Sequence, residues 1–321
     1  MESFLGITEM IKKYIKRHCD ERWNIGFIQN SLDNILQGED IRVKWVEHDY
    51  KNSWFADPFI LDVTDTDIIV LVEEFPKDIY RGRISKLTID RRSYQLKKLD
   101  VVKELPTHMS FPVIIRQPWF ETSNGSTRDF VYLMPENGAS GKLIVYKYWV
   151  QENIIEEVHN VLDESVADAT PLRVGNKAYL FCTKRPNVNG NTLYLYQWDS
   201  QEEKFIPLGS KIFQENIARM AGNFFEYEGA LYRPAQECNT QYGHAVSLQK
   251  VTYRAKSVLD MQELDCGALE FKEVRRIFSN HPKLNVGMHT FNMYKEVIVT
   301  DALGFDNMWI RDILSKLGII H

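Results

Sequence analysis

The sequence is poor in the features that usually classify a protein of 321 residues at once. No apolar run comes near the ~18 residues that a membrane-spanning helix needs, so no transmembrane segment is expected. The opening stretch MESFLGITEMIKKYIKRHCDE has neither the continuous apolar core nor the small-residue cleavage site of a signal peptide, which makes the cytoplasm the expected compartment. Cysteine is scarce: Cys19, Cys182, Cys238 and Cys266 form no CxxC and no Cys/His pair with zinc-ligand spacing, and they read as reduced packing residues. A net charge of -5 leaves no basic excess for a nucleic-acid partner. A Walker loop, GxSxG, HExxH and a helix-opening GxGxxG are all missing, so nucleotide hydrolysis, esterase, zinc-protease and Rossmann chemistry have no support. The histidines are scattered, and neither a metal site nor a cofactor is expected.

What is present is a large apolar share, 44% with 12% aromatic, enough to bury a sizeable core. Residues 1 to 19 carry Ile7, Met10, Ile11, Tyr14 and Ile15 at helical spacing with Lys12, Lys13, Lys16 and Arg17 between them. That basic amphipathic helix either caps the globular body or makes a peripheral membrane contact. A strand-like Trp23 to Gln29 and a short helix at Ser31 to Gln37 complete an N-terminal extension over 1-40.

From about residue 41 the pattern is almost wholly β, and it recurs. Short apolar strands start at Trp54-Phe55-Ala56-Asp57-Pro58, Met109-Ser110-Phe111-Pro112, Val166-Ala167-Asp168-Ala169-Thr170-Pro171, Arg219-Met220-Ala221-Gly222 and Gly287-Met288-His289-Thr290. Each start is followed by further strands, with turn chemistry at Thr64 to Asp67 and Asp90 to Ser93. Pro58, Pro112 and Pro171 are 54 and 59 residues apart, a spacing that signals a propeller. The expected fold is all-β, a five-bladed β-propeller over 41-305 with short N-terminal and C-terminal helices, the latter a docking helix over 306-321 that begins with Asp306 as N-cap. The fifth unit is short of strands, and Ile41 to His48 is the free segment to close it. A sandwich or jelly roll has no reason to repeat strands in fours.

A propeller turns the first strand of every blade toward one axis, which brings Asp57 and Asp168 face to face. Two carboxylates there would push their pKa values apart, the condition for separate acid and base roles. Glu73 and Glu74 in VLVEEF and Glu136 in YLMPEN add acids, with Glu74 and Glu136 at the same offset from their strands. Each is otherwise a salt-bridged strand end. The fourth unit gathers Arg219, Arg233, Gln236 and Tyr242, groups that either contact a ligand or pair with the axial acids. Trp54, His108, Ser110 and His289 complete the candidates for substrate contact, each with a packing or structural alternative.

In order, WFADPFI, the EE pair, MSFP, YLMPE, ADATP, RMAG, RPAQEC and QYG resemble the N-terminal domain of glucosamine inositolphosphorylceramide transferases and related bacterial proteins, from about Trp23 to Asp301. That domain is similar to the five-bladed propellers of glycoside hydrolase families 43, 32 and 68. The resemblance to family 43 implies Asp57 as general base and Asp168 as the residue that tunes pKa and orients substrate. The family's fourth-blade glutamate acid has no match, because Arg219-Met220-Ala221-Gly222 stands there. Glu136, Glu74 or Glu237 would have to replace it, or nothing is hydrolysed. The expected function is that of a carbohydrate-active protein cleaving or transferring a glycosyl unit in a central funnel, in surface-glycan metabolism, with a carbohydrate or glycoconjugate as partner. The alternative is a non-catalytic sugar-binding module or partner of a glycosyltransferase.

Overall fold

The computed structural model describes residues 21–120 and 130–305, and its strands fall into five antiparallel sheets. The helices expected at 1-19 and 306-321 lie outside the described residues. Runs rich in Val, Ile, Tyr and Phe form the strands, and polar hairpin tips fix their ends. At one tip Asp90 Oδ1 accepts the N–H groups of Arg92 and Ser93 at 3.0 and 2.8 Å; at another Thr64 Oγ1 accepts the Asp67 N–H at 2.9 Å.

The first blade comprises Ser53–Val63, Asp67–Pro76, Arg83–Asp90 and Leu96–Lys103, from the axis outward. The second runs Ser110–Ile115, Phe130–Glu136, Leu143–Trp149 and Ile154–Leu162; the third runs Val166–Val174, Lys177–Lys184, Thr192–Asp199 and Lys204–Ile212. The fourth has a short inner strand, Phe225–Tyr227, then Ala230–Glu237, Ala245–Tyr253 and Leu269–Ile277. The fifth joins both ends of the described chain. Phe291–Tyr294 and Val297–Phe305 are followed outward by Glu21–Ile28 and Val43–Trp45. The expected closing segment Ile41 to His48 therefore supplies only the outermost strand. The strand assigned to the N-terminal extension sits inside the ring, paired from Glu21↔Phe305 to Ile28↔Ile298. The short helix is found at Leu32–Leu36, its Ser31 N-cap accepting the Asn34 N–H.

Inner strands of the first three blades share a device that the proline spacing only approximates. Each is bulged, between Ala56/Phe59, Ser110/Val113 and Ala167/Thr170, and a residue with positive φ sits in each bulge: Asp57 (φ 50), Phe111 (φ 44) and Asp168 (φ 48). Aspartate tolerates this region, but a phenylalanine there is an outlier that its surroundings must hold in place. Phe111 is fully buried, edge-on to Phe59 with ring centroids 4.9 Å apart, so burial of two aromatic rings, worth about 1.5–3 kcal/mol each, holds the bulge.

In the fourth blade the strand start is irregular, and Gly222 (φ 150) lies where a Cβ would overlap the Phe291 carbonyl of the fifth blade. Only glycine lets the two inner strands approach, as in the bond from Phe291 N–H to Ala221 O at 2.7 Å. Gly222→Ala is expected to cost about 2–4 kcal/mol, read as a lowered denaturant midpoint.

Candidate functional site

The bulges carry the chemistry. In each of the first three blades the bulged residue's N–H meets a carboxylate from the preceding blade in the ring. Asp301 Oδ2 accepts the Asp57 N–H at 3.1 Å, Asp57 Oδ2 accepts the Phe111 N–H at 3.1 Å, and Glu136 Oε2 accepts the Asp168 N–H at 2.9 Å. Acids are thus set around the axis by the same backbone feature that bends the strands. Asp301, whose pKa is lowered, makes a charge-assisted bond of this kind, stronger than a neutral one.

Asp168, 1% exposed, is held by two side chains of the fourth blade: Arg219 Nε lies 2.5 Å and Gln236 Nε2 lies 2.6 Å from its Oδ2. Gln236 also donates to Met220 O, while Arg219 donates to Asn189 Oδ1 at 2.7 Å and comes within 3.8 Å of Glu136. Its guanidinium faces the Tyr242 ring at 4.9 Å. Burial works against the Arg219 charge, but Asp168, Tyr242 and Glu136 outweigh it and hold the pKa well above the usual value. Burial, then Asp168, raises Glu136 to about 8, with Arg219 opposing. Burial likewise pushes the Tyr242 hydroxyl well up.

His289 lies between Asp57 and Asp301, with Nε2 3.4 Å from Asp57 Oδ1 and Nδ1 2.7 Å from Asp301 Oδ2. Trp23 stacks on its ring at 4.1 Å, and Tyr242 meets it edge-on at 5.3 Å. Burial opposes the imidazolium, yet Asp301 and Asp57 raise its pKa to about 9, while Asp301 is itself lowered by His289 against its own burial. Asp57 goes the other way: burial raises it well above the usual carboxylate range, partly offset by His289. Asp57, His289 and Asp301 offer ligand atoms within 4.8 Å of one another, so these are the residues that could hold a cation if His289 gave up its proton.

His108 accepts the Gly82 N–H at Nδ1 (2.9 Å), which fixes its neutral form with the proton on Nε2, 3.2 Å from Glu73 Oε1. Carboxylates nevertheless raise its pKa, Glu73 foremost, against burial. Ser110 is buried and pairs across the strands with Glu136.

Four candidates stand elsewhere. Glu74 is engaged inside the first blade by Ser53, Ser85 and Arg83, at 2.7–3.0 Å. The residue matching Glu136 is Glu73, because Ala56↔Glu73 and Ser110↔Glu136 are the equivalent pairs beside the bulges. The shared offset of Glu74 and Glu136 was wrong by one residue, which in a strand reverses the face. Arg233 is fully buried between Phe213 and Phe271, bonded to Gln249 and to the Ala218 carbonyl, and burial lowers it to about 9. Gln236, three residues on, points to the opposite face and reaches Asp168. Trp54 stacks on Phe75 at 4.6 Å and packs with Trp23 and Leu303, a wall more than a platform. Glu237, buried, accepts the Asn239 N–H. Missed altogether were Asp301, Trp23 and Asn189; the one available signal was the charge of Asp301 inside the apolar strand VIVTDALGF.

A family model described as glucosamine inositolphosphorylceramide transferase 1, N-terminal, matches residues 43–301. The glucosamine inositolphosphorylceramide transferase 1 of Oryza sativa subsp. japonica is 24% identical over 251 residues, 73% of this chain and 31% of the relative. That of Arabidopsis thaliana is 24% identical over 224 residues, 64% and 26% respectively. The chain spans a third or less of the length of these curated relatives. Among solved structures, an α-L-arabinofuranosidase from Lactobacillus brevis is similar with a TM-score of 0.47, 12% identity and coverage of 75% of this chain and 79% of that one. A GH43 β-xylosidase/α-arabinofuranosidase from a compost microbial metagenome gives 0.46, 9%, 78% and 90%.

Proposed function

The chain belongs to the family of the glucosamine inositolphosphorylceramide transferase 1 N-terminal domain, and from that premise we propose that its axial cluster binds a glycan or glycoconjugate without cleaving it. It then acts as the recognition module of a glycosyl-transferring system, within the cytoplasmic compartment expected from the sequence. The observation that supports this best is the Asp168–Arg219 pair. Glycosidic cleavage needs one carboxyl with a proton to give and a second, ionised one free to activate water or attack. Here Arg219 and Gln236 occupy Asp168, His289 occupies Asp301, and burial favours the protonated form of Asp57.

Exposure supports the same reading. The side chains of His108 (47%), Glu136 (14%) and Arg219 (12%) reach solvent, whereas that of Asp57 is 5% exposed. A ligand would meet the His108–Glu73 pair, a protonated carboxyl and a guanidinium, a set suited to sugar hydroxyls. Glu136 is neutral below about pH 8, so sugar affinity is expected to fall as pH rises through that value. Glu136→Gln, unable to ionise, should bind without that pH dependence, and Glu136→Ala should bind about tenfold more weakly, measured by titration calorimetry. Flat pH profiles in both wild type and Glu136→Gln would overturn the role given to Glu136.

A second reading, glycosyl cleavage or transfer with Glu136 as acid and Asp57 as base, has one observation in its favour: the raised pKa of Glu136 is what a general acid requires.

A further inference from the structure

We infer that the opposite mouth of the propeller is a second ligand site, which takes a small phosphate ester carrying an aromatic or apolar group. The inner strands lead there. Five residues beyond the bulges at Phe111 and Asp168 the chain reaches Arg116 and Arg173, about 16 Å further along the axis at the usual strand rise. A cavity of about 380 Å³ opens between the ends of the second to fifth blades, lined by both arginines with Trp119, Asn223, Phe224 and Tyr294. That volume suits one ring and one phosphate.

The charge at this mouth is opposite to that of the acid-rich end. Arg116 is fixed by bonds from Nη2 to the carbonyls of Ile60 (2.6 Å) and Leu61 (3.2 Å), and its guanidinium lies 3.4 Å from the centre of the Tyr294 ring. Arg173 is anchored through Nη1 to the Pro118 carbonyl at 3.1 Å. Neither forms an ion pair among the described residues; the neighbouring Asp62 carboxylate is taken by Lys295 at 2.7 Å. Glu226 is the acidic residue of the lining, against two arginines. Arg116 is exposed overall, yet its guanidinium, set between the Ile60 and Leu61 carbonyls and the Tyr294 ring, is desolvated enough to lower its pKa against the pull of Tyr294 and Asp62, which leaves room for a closer anion. Both forks are held by carbonyls on one edge, which leaves other N–H groups for phosphate oxygens, the ligand geometry arginine matches best. Among the described residues Trp119 Nε1, which can only donate, is buried and has no acceptor. The rings of Phe224 and Tyr294 provide the apolar walls.

Titration calorimetry of the full chain with phenyl phosphate, inorganic phosphate and phenol tests this. Phenyl phosphate should bind saturably with a Kd at or below about 1 mM and more tightly than either part alone. Arg173→Gln and Arg116→Gln should each weaken it about tenfold or more. Both arginines are exposed, so neither replacement should unfold the chain, and the denaturant midpoint of each variant checks this. Absence of saturable phenyl phosphate binding, or unchanged affinity in folded Arg173→Gln, would overturn the inference; binding of inorganic phosphate equal to that of phenyl phosphate would remove the apolar part of the ligand.

Discussion

Arg219→Ala is expected to destabilise the protein by about 3–5 kcal/mol and to abolish glycan binding. The cost does not come from losing a favourable surface pair, which would be worth about 1 kcal/mol or less. It comes from leaving the Asp168 carboxylate, 1% exposed, without its cation. Gln236 remains as a neutral donor at 2.6 Å, and Glu136 loses the charge that opposes its proton uptake. Asp168→Asn should be milder, because an amide needs no counter-ion, although it strands the guanidinium between Tyr242 and Asn189. The double variant Asp168→Asn/Arg219→Gln, with no buried charge in this pair, should recover part of the Arg219→Ala loss. Denaturant midpoints for Asp168→Asn, Arg219→Gln and the double variant give the coupling directly. A cost below about 1 kcal/mol for Arg219→Ala would mean that the pair is solvated and the clamp on Asp168 is loose.

A comparable loss, about 3–5 kcal/mol, is expected for Asp301→Ala. Asp301 is fully buried; its Oδ1 accepts the N–H groups of His289 and Thr290 at 3.0 and 3.1 Å, and its Oδ2 accepts that of Asp57 and neighbours the His289 ring. Removing it leaves three buried donors unsatisfied, each at a cost of about 1–3 kcal/mol before relaxation. Asp301 also couples closure of the ring to the site, since it stands in the strand that pairs with Glu21–Ile28 and reaches across to the first blade. His289 adds a pH signature. Its pKa is raised from 6.5 unfolded to about 9 folded, so its contribution is fully present below pH 6.5 and is lost as pH rises through about 9. Asp301→Asn should keep part of the hydrogen bonding but bring the His289 titration, followed by NMR, down toward the usual value. A His289 titration unchanged in that variant would show that Asp57 alone sustains the imidazolium.

The propeller was legible because its repeat is written in whole units: apolar strands, turn residues at Asp90 and Thr64, and a marked residue at each inner-strand start. The pairing of Asp57 with Asp168 followed from the same comparison and corresponds to equivalent bulges. Three things escaped for physical reasons. Facing in a strand has a period of two, so a one-residue error favoured Glu74 over Glu73. The run Arg233-Pro234-Ala235-Gln236 looked like one cluster, yet its two ends lie on opposite faces, and only Gln236 reaches the axis. Trp23 and Asp301 belong to a blade assembled from both ends of the described chain, which no local motif announces. The fourth-blade departure from the family 43 pattern was visible as Arg219. Pairing with an axial acid was one of the two readings of this arginine, and it closes on Asp168 at 2.5 Å.

The central claim, recognition without cleavage, is tested most directly by saturation-transfer NMR of wild type and Asp57→Asn against a panel of glycosides and nucleotide sugars, with products followed in the same samples. Saturation transfer to the same sugar in both proteins, with no hydrolysis or transfer product from wild type, is the predicted result. A product formed by wild type and lost in Asp57→Asn, with binding retained, would contradict it and make Asp57 the base of an active enzyme.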